Sequence, residues 1–290
     1  MNFELSLVIP AYNAQDTLSE TIESGLMQDL NSLQIIIVDD GSTDNTLEIA
    51  REYADKHHNI KVIHQNNKGT GGAYNTGVLN ADAQWVSICS ADDVLYPRAL
   101  STLWDAHLAQ PEMSIVMSNG DFWCDDIKKK PVYDSEFRNS GEVELESVLS
   151  ACFYGVGAIY DKKWFEVVEG YNERMYAEDY DFWLRIMMRG ARAYYVNEIL
   201  SANRVSSTQK SASLARLYQA DILILQACDE SGLLSPKLAE VCRASIFAYS
   251  QKYKELTKLS AVLKRNLIAL LVKIFGRDEL EQMIHKLKGK

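Results

Sequence analysis

Four apolar runs punctuate the first ninety residues, and each is followed by a stretch whose apolar positions fall three or four apart. The runs are Leu5–Pro10, Gln34–Val38, Lys61–His64 and Trp85–Cys89. Ile35-Ile36-Ile37-Val38 has no polar residue between its apolar ones, as in strands buried on both faces. Between the runs, a helix is predicted near Thr17–Met27, with Leu18, Ile22 and Leu26 on one face. A second begins near Thr43 or Asp44 and turns Leu47, Ala50 and Ala54 inward. The Gly-rich turn Gly69–Gly72 leads into a third that ends about Leu79, and Pro97 is placed to open a fourth running to Ala109. A strand over Ser114–Met117 follows. Alternating strands and helices of this kind predict an α/β fold: a doubly wound, mostly parallel sheet with helices on both faces.

The second half is less regular. Lys128-Lys129-Lys130-Pro131 reads as an exposed turn, and Phe153–Asp161 as a Gly-punctuated strand. Glu178–Arg189 is an amphipathic helix stopped by Gly190, with Asp181 as a first-turn acid that favours the helix dipole. From about Ser211 strand character is lost, and three or four helices are expected, broken near Gly232–Pro236 and Gly276. The expected organisation is a domain over 1–210, its nucleotide-binding half at 1–120 and its acceptor-side half at 121–210, followed by a helical C-terminal region at 211–290.

Two of the predicted strands end in paired acids, Asp39-Asp40 and Asp92-Asp93. Adjacent carboxylates repel and cannot be buried unpaired, so they are poor strand terminators on packing grounds alone. At the carboxyl ends of neighbouring parallel strands they would face the crevice where open α/β sheets take ligands. Such acids suit a divalent cation carrying a diphosphate, since hard cations combine oxygen ligands from acids and phosphates.

Five segments occur in order: Leu5-Ser6-Leu7-Val8-Ile9-Pro10-Ala11-Tyr12-Asn13, Asp39-Asp40-Gly41-Ser42-Thr43-Asp44, Asn67-Lys68-Gly69 with Gly72-Ala73-Tyr74-Asn75-Thr76-Gly77, Ser90-Ala91-Asp92-Asp93, and Glu178-Asp179-Tyr180-Asp181-Phe182-Trp183. Over roughly residues 3–210 the chain thereby resembles the family 2 glycosyltransferases, which have the GT-A fold and use nucleotide-activated sugars. The resemblance implies an inverting, metal-dependent hexosyltransferase that moves one sugar from a UDP-sugar to an acceptor hydroxyl in surface glycan or polysaccharide synthesis. Pro10 and Tyr12 match the loop that holds the base, and Asp40 matches the acid that accepts the uracil N3–H. Cytosine N3 has no hydrogen to give, which favours UDP over CDP. Asn67 matches another donor contact. Asp92 and Asp93 match the metal acids for Mg²⁺ or Mn²⁺, and Asp179 matches the general base. Arg204-Val205 resembles the segment that closes over the diphosphate, with Ser206 where His is usual and Lys210 nearby. The chain departs from the family in two further places: Ser90 stands where many relatives have Asp, and Tyr74 where many have Arg. These departures motivate an alternative, a nucleotide-sugar-binding or scaffolding protein that has lost catalysis.

Charge adds a partner. The net charge of −10 is unevenly spread: residues 243–290 hold eleven Lys/Arg against four Asp/Glu, and the rest nineteen against thirty-six. An acidic body is a poor ligand for nucleic acid, whereas a basic tail can approach an anionic surface. In Lys258–Arg277 a helical wheel gathers Leu263, Leu267, Leu270, Leu271, Ile274 and Phe275 on one side. Two uses are open for it: peripheral contact with a membrane that carries a glycan or lipid-linked acceptor, and packing on the body or in a homodimer. The five scattered cysteines argue against a disulfide framework, and the chain enters a strand at once without a basic, apolar leader. A cytoplasmic protein, peripheral on the inner face of the membrane, is expected.

Overall fold

The computed structural model describes residues 3–124, 127–131, 139–150, 158–204 and 213–275, apart from the side chains of 122–131 and 259–275. Its first half follows the apolar pattern. Strand β1 (Leu5–Ala11) leads to helix α1 (Leu18–Leu26), β2 (Leu33–Asp39) to α2 (Thr46–Lys56), and β3 (Ile60–His64) to α3 (Gly69–Leu79). Strand β4 (Trp85–Ile88) is followed by the short β5 (Val94–Leu95) and by α4 (Ala99–Ala109). Pro97 lies two residues ahead of α4, because Arg98 takes a left-handed φ of 67° before the helix begins.

Every residue of β1 and β2 is buried, and alternate side chains enter different cores. Leu7, Ile9, Ile35 and Ile37 pack with Leu18 and Ile22 of α1, Ala50 of α2, and Leu100 and Leu103 of α4. Val8, Ile36 and Val38 pack on the opposite face with Tyr74 and Val78 of α3. This two-faced burial is the reason the strand sequences read as unbroken apolar runs. Helix α3 lies so close to β1 that a Cβ on Gly77 would sit 2.2 Å from a Val8 methyl carbon, so only glycine fits there.

In the second half come β6 (Ile115–Cys124), β7 (Ile127–Pro131), β8 (Gly141–Val143), α5 (Leu145–Ser150), β9 (Ile159–Asp161), α6 (Lys163–Val167), α7 (Glu178–Met187) and β10 (Ala193–Arg204). The sheet runs β3-β2-β1-β4-β9-β6-β10-β5, with β7 beside β6 and β8 beside β10. Its β3-β2-β1-β4 part is parallel, β6 and β10 pair in parallel, and β5, β7, β8 and β9 join antiparallel. Two readings change here. The Lys128–Pro131 segment is not a turn but part of β7, whose backbone pairs with β6; lysine and proline are tolerated in a strand of this peripheral kind. The twelve-residue β10 was hidden because register shifts between Val196, Ile199 and Ser201 break its alternation. Of the strand expected at Phe153–Asp161, Ile159–Asp161 is present and 153–157 lie outside the described residues.

Beyond residue 212 the described chain forms two helices, α8 (Leu214–Glu230) and α9 (Pro236–Phe275), where three or four were expected. The break falls as predicted: Gly232 adopts a φ of 72°, and Pro236 opens α9. Gly276 and the side chains of the predicted amphipathic stripe lie outside the described residues. Helix α8 packs on α7 and on α9. Among the described residues no helix is long and apolar enough to cross a membrane.

Candidate active site

Parallel pairing of β1 with β2 and β4 brings both acid pairs to one edge of the sheet. Ala11 is in register with Asp39, and Val8 with Ile88. The backbone continues this alignment past the strand ends: Asp40 N–H donates to Ala11 O at 2.8 Å and Ala91 N–H to Pro10 O at 3.2 Å. Chain order reverses at β1, which has β2 on one side and β4 on the other. The acids thus lie at the carboxyl edge where the winding direction switches, a geometry that opens a crevice between the flanking loops.

The first acid pair divides its work. Asp39 is fully buried and its Oδ2 meets His64 Nδ1 at 2.6 Å, while Oδ1 has no partner. Asp40 is 3% exposed; its Oδ1 accepts hydrogen bonds from Gln65 Nε2 at 2.6 Å and from the Lys68 N–H at 2.9 Å. Its side chain is therefore fixed by β3 and the start of α3. Gly41 makes the tight exit with a φ of 77°. Asn67 is exposed, and its Oδ1 accepts from Gly69 N–H at 3.1 Å as α3 begins. Pro10 is buried near the end of β1, and Tyr12, just past its last residue Ala11, is 53% exposed. Crossed hydrogen bonds fasten the two loops: Asn13 N–H donates to Ser42 Oγ at 2.9 Å and Thr43 N–H to Asn13 Oδ1 at 2.8 Å.

The second acid pair is tied to the end of β10. Arg204 N–H donates to Asp93 Oδ1 at 2.9 Å, and Arg204 Nε donates to Asp92 O at 3.2 Å. The guanidinium also holds Glu20 Oε2 of α1 at 2.5 Å. Arg204 thus meets Asp92 and Asp93 although 111 residues separate it from Asp93. Burial pushes the Asp93 carboxyl well above the usual carboxylate range; Asp92's charge adds to this, and Arg204 opposes it. Carboxylates in this state are relieved by a hard cation, and their all-oxygen chemistry suits Mg²⁺ or Mn²⁺. Among the described residues no group of three or more His, Cys, Asp or Glu forms a metal cluster, so an ion here would take its other ligands from substrate and water.

Asp179 lies in the first turn of α7, half-buried, with its Oδ1 accepting from Tyr180 N–H at 2.8 Å. Tyr74 of α3 connects this helix to the acid loop. Its hydroxyl hydrogen-bonds Ser90, and burial pushes it far above the ordinary tyrosine range, with Glu178, Asp179 and Asp93 adding. Two of the positions at which the chain departs from the family pattern therefore touch each other. Asp181 is more than a first-turn acid: it is buried and its Oδ2 accepts from Arg185 Nε at 2.7 Å. Arg185 also donates at 2.8 Å to Val168 O and at 2.8 Å to Gly170 O, clamping the turn before Tyr171.

Three contributors escaped the sequence reading: Gln65, which orients Asp40; Glu20, which holds Arg204; and Asp221 of α8, on which the charge of Asp179 acts. Asp221 had a signal, since it interrupts the apolar stripe Ala220, Ile224, Leu225 and Cys228. Gln65 and Glu20 had none, being ordinary polar residues whose roles depend on tertiary neighbours. Ser206 and Lys210 lie outside the described residues.

The crossing point, paired acids and flanking helices define a GT-A-type nucleotide-sugar fold. Residues 6–168 match the family described as Glycosyl transferase family 2, and the chain belongs to it. It is 39% identical over 121 residues to the uncharacterized glycosyltransferase YibD of Escherichia coli, covering 42% of this chain and 35% of that protein. It is 30% identical over 183 residues to an Escherichia coli chondroitin synthase, covering 63% and 26%. The chain spans about a third to a half of the length of several curated relatives. Among solved structures it superposes on residues 1–349 of Staphylococcus aureus TarS in complex with UDP-GlcNAc, with a TM-score of 0.70, 19% identity and coverage of 84% and 72%. The mannosyltransferase PcManGT of Pyrobaculum calidifontis, in complex with GDP-Man and Mn²⁺, gives 0.68 and 19%, with coverage of 94% and 81%.

Proposed function

We propose that this glycosyltransferase transfers one sugar from a UDP-sugar to a hydroxyl of a glycan or lipid-linked acceptor, with inversion at the anomeric carbon. The observation that carries the reading is the convergence of Asp40, the Asp92-Asp93 pair and Arg204 at the carboxyl edge of β1, β2 and β4. TarS bound to UDP-GlcNAc has the same fold, which supports a UDP-linked donor.

In this reading Tyr12 covers the base, and Asp40 accepts the uracil N3–H through the oxygen that Gln65 and Lys68 leave. Asn67 borders the nucleoside. Asp92 and Asp93 would hold Mg²⁺ or Mn²⁺, which when bound neutralises the diphosphate and stabilises it as leaving group. Arg204 exchanges Glu20 for a phosphate oxygen. Asp179 takes the proton of the acceptor hydroxyl as its oxygen bonds to the anomeric carbon and the bond to the diphosphate breaks. Base and leaving group act from opposite sides of that carbon, so an α-linked donor yields a β-linked product. The basic tail brings the enzyme to the anionic inner surface of a membrane, where lipid-linked acceptors are held.

The test is a transfer assay across UDP-sugars and acceptors, with donor binding measured separately. Asp179→Asn is expected to bind UDP with Mn²⁺ normally and to lose about 10²–10⁴-fold in turnover. Near-normal turnover, or a product of retained configuration, refutes the assignment. Binding without transfer in the wild type, for every acceptor tried, would define a nucleotide-sugar-binding protein instead.

A further inference from the structure

Helix α3 and the turn ahead of α7 approach so closely that glycine stands on both sides of the contact. A Cβ on Gly71 would sit 3.1 Å from Glu173 Cα, inside ordinary carbon–carbon packing, and one on Gly170 would sit 2.7 Å from Asn75 Oδ1. Gly170 also has a φ of 83°, which favours glycine for a second reason. Between these glycines lies a paired hydrogen bond. Asn75 Oδ1 accepts from the Tyr171 N–H at 2.7 Å, and Asn75 Nδ2 donates to Tyr171 O at 3.0 Å and to Glu173 Oε1 at 3.1 Å. The side-chain amide acts as a neighbouring strand would, for one residue lying 96 positions along the chain. Only asparagine suits the place: the N–H needs an acceptor and the C=O a donor, aspartate offers no donor, and glutamine carries both groups a methylene too far.

Tyr171 is bound from the other side by α7. Arg185 donates to Val168 O and Gly170 O, each at 2.8 Å, so the turn is held between α3 and α7. The Tyr171 ring repeats the bridge in the core, edge-on to Tyr74 of α3 at 5.0 Å and stacked on Phe182 of α7 at 4.2 Å. At its other contacts α3 serves the donor side. Lys68 N–H, just ahead of its first turn, holds Asp40, and Tyr74 meets Ser90 in the loop of Asp92 and Asp93. One helix therefore touches the donor-side acids and, through Tyr171, the helix that carries Asp179.

We infer that Asn75 is a positioning residue: by fixing Tyr171 against α3, it sets where Asp179 stands relative to a donor held at Asp40, Asp92 and Asp93. The inference rests on the reading of Asp179 as the base. A base acts only within hydrogen-bond reach of the proton it takes, about 2.6–3.2 Å, and a displacement of about 1 Å can cost about 10²-fold in rate. The contacts of α3 with the donor side run through Lys68 and Tyr74, so loss of the Asn75 amide leaves them in place.

The experiment compares Asn75→Ala and Asn75→Asp with the wild type in the full chain. Asn75→Ala is the milder, because water can reach the Tyr171 groups it frees; Asn75→Asp sets a carboxylate against Tyr171 O and Glu173. Amide hydrogen exchange at Tyr171 should quicken about tenfold, the worth of one hydrogen bond. In the transfer assay kcat should fall about 10–10²-fold while UDP affinity with Mn²⁺, read by calorimetry, is unchanged. Gln34→Ala is the control for stability alone: it breaks the 2.6 Å bonds to Ser6 and Asp82 at the opposite edge of the sheet and should leave kcat as it was. Unchanged exchange at Tyr171 overturns the clamp. Faster exchange with full kcat, or a kcat loss that Gln34→Ala reproduces, overturns the positioning role. Combined with Asp179→Asn, Asn75→Ala should cost nothing further, and additive losses overturn a role exerted through Asp179. Full turnover in Asp179→Asn overturns the base reading and the positioning with it, while exchange at Tyr171 still reads the clamp by itself.

Discussion

Removing the Arg185 guanidinium should unfold the acceptor side of the sheet more readily than the removal of almost any other polar group. Its Nε meets buried Asp181, and its two terminal nitrogens donate to Val168 O and Gly170 O. Arg185→Met keeps much of the stem but leaves a buried carboxylate and two carbonyls without their donor. Breaking a buried pair from one side costs about 3–5 kcal/mol, because the remaining charge is uncompensated. The cost depends on pH in a definite direction. Burial already raises the Asp181 carboxyl above its ordinary range against the pull of Arg185, so the variant raises it further. Between the unfolded value of 3.8 and that raised folded value, the folded variant binds the extra proton, and its stability falls as pH increases. The deficit should be full at pH 8 and shrink as the pH falls toward 4. Urea unfolding followed by tryptophan fluorescence at both pH values measures it, with Asp181→Asn and the double variant completing the cycle. A loss under about 1 kcal/mol at pH 8, or one equal at both pH values, would refute a buried-pair account and leave Arg185 as an ordinary surface contact.

Two further outcomes follow from single contacts. Gly77→Ala places a Cβ 2.2 Å from a Val8 methyl carbon and should cost about 1–3 kcal/mol; an unchanged melting temperature would mean that α3 can slide on β1. Glu20→Gln frees the Arg204 guanidinium from its half-exposed partner and should tighten UDP binding about two- to fivefold by calorimetry, with little change in stability; weaker binding would show that Glu20 holds Arg204 in its working position.

The first half of the fold could be read from the chain because β1 and β2 are apolar on both faces and the helices between them are regularly spaced. The acid pairs were legible for the same reason, since one closes β2 and the other comes a few residues after β4, strands whose ends the pattern fixes. Arg204 was harder. It reaches Asp92 and Asp93 only through β10, whose shifted register removes the period of two that marks a strand. The Lys128–Pro131 error has a similar source: a peripheral strand needs no apolar alternation, so charge and proline suggested a turn. Asp181 looked like dipole chemistry in sequence because its partner is an ordinary i+4 arginine, and only the carbonyls of Val168 and Gly170 show that the pair is structural. Asp221 was passed over since a single acid in a helix is unremarkable until its neighbours are known to be apolar.

The contact between Tyr74 and Ser90 bears on how this chain could have diverged, and on how it can be spliced. The family resemblance implies arginine at the first position and aspartate at the second, where this protein has two neutral side chains. Because the two side chains meet, neither replacement stands alone. Aspartate at 90 opposite the present tyrosine would add a further carboxylate beside Asp92 and Asp93, while arginine at 74 would lose the hydrogen bond to Ser90 and set a cation among Glu178, Asp179 and Asp93. A chimera that imports a relative's strand-four loop should accordingly fail unless α3 is imported with it.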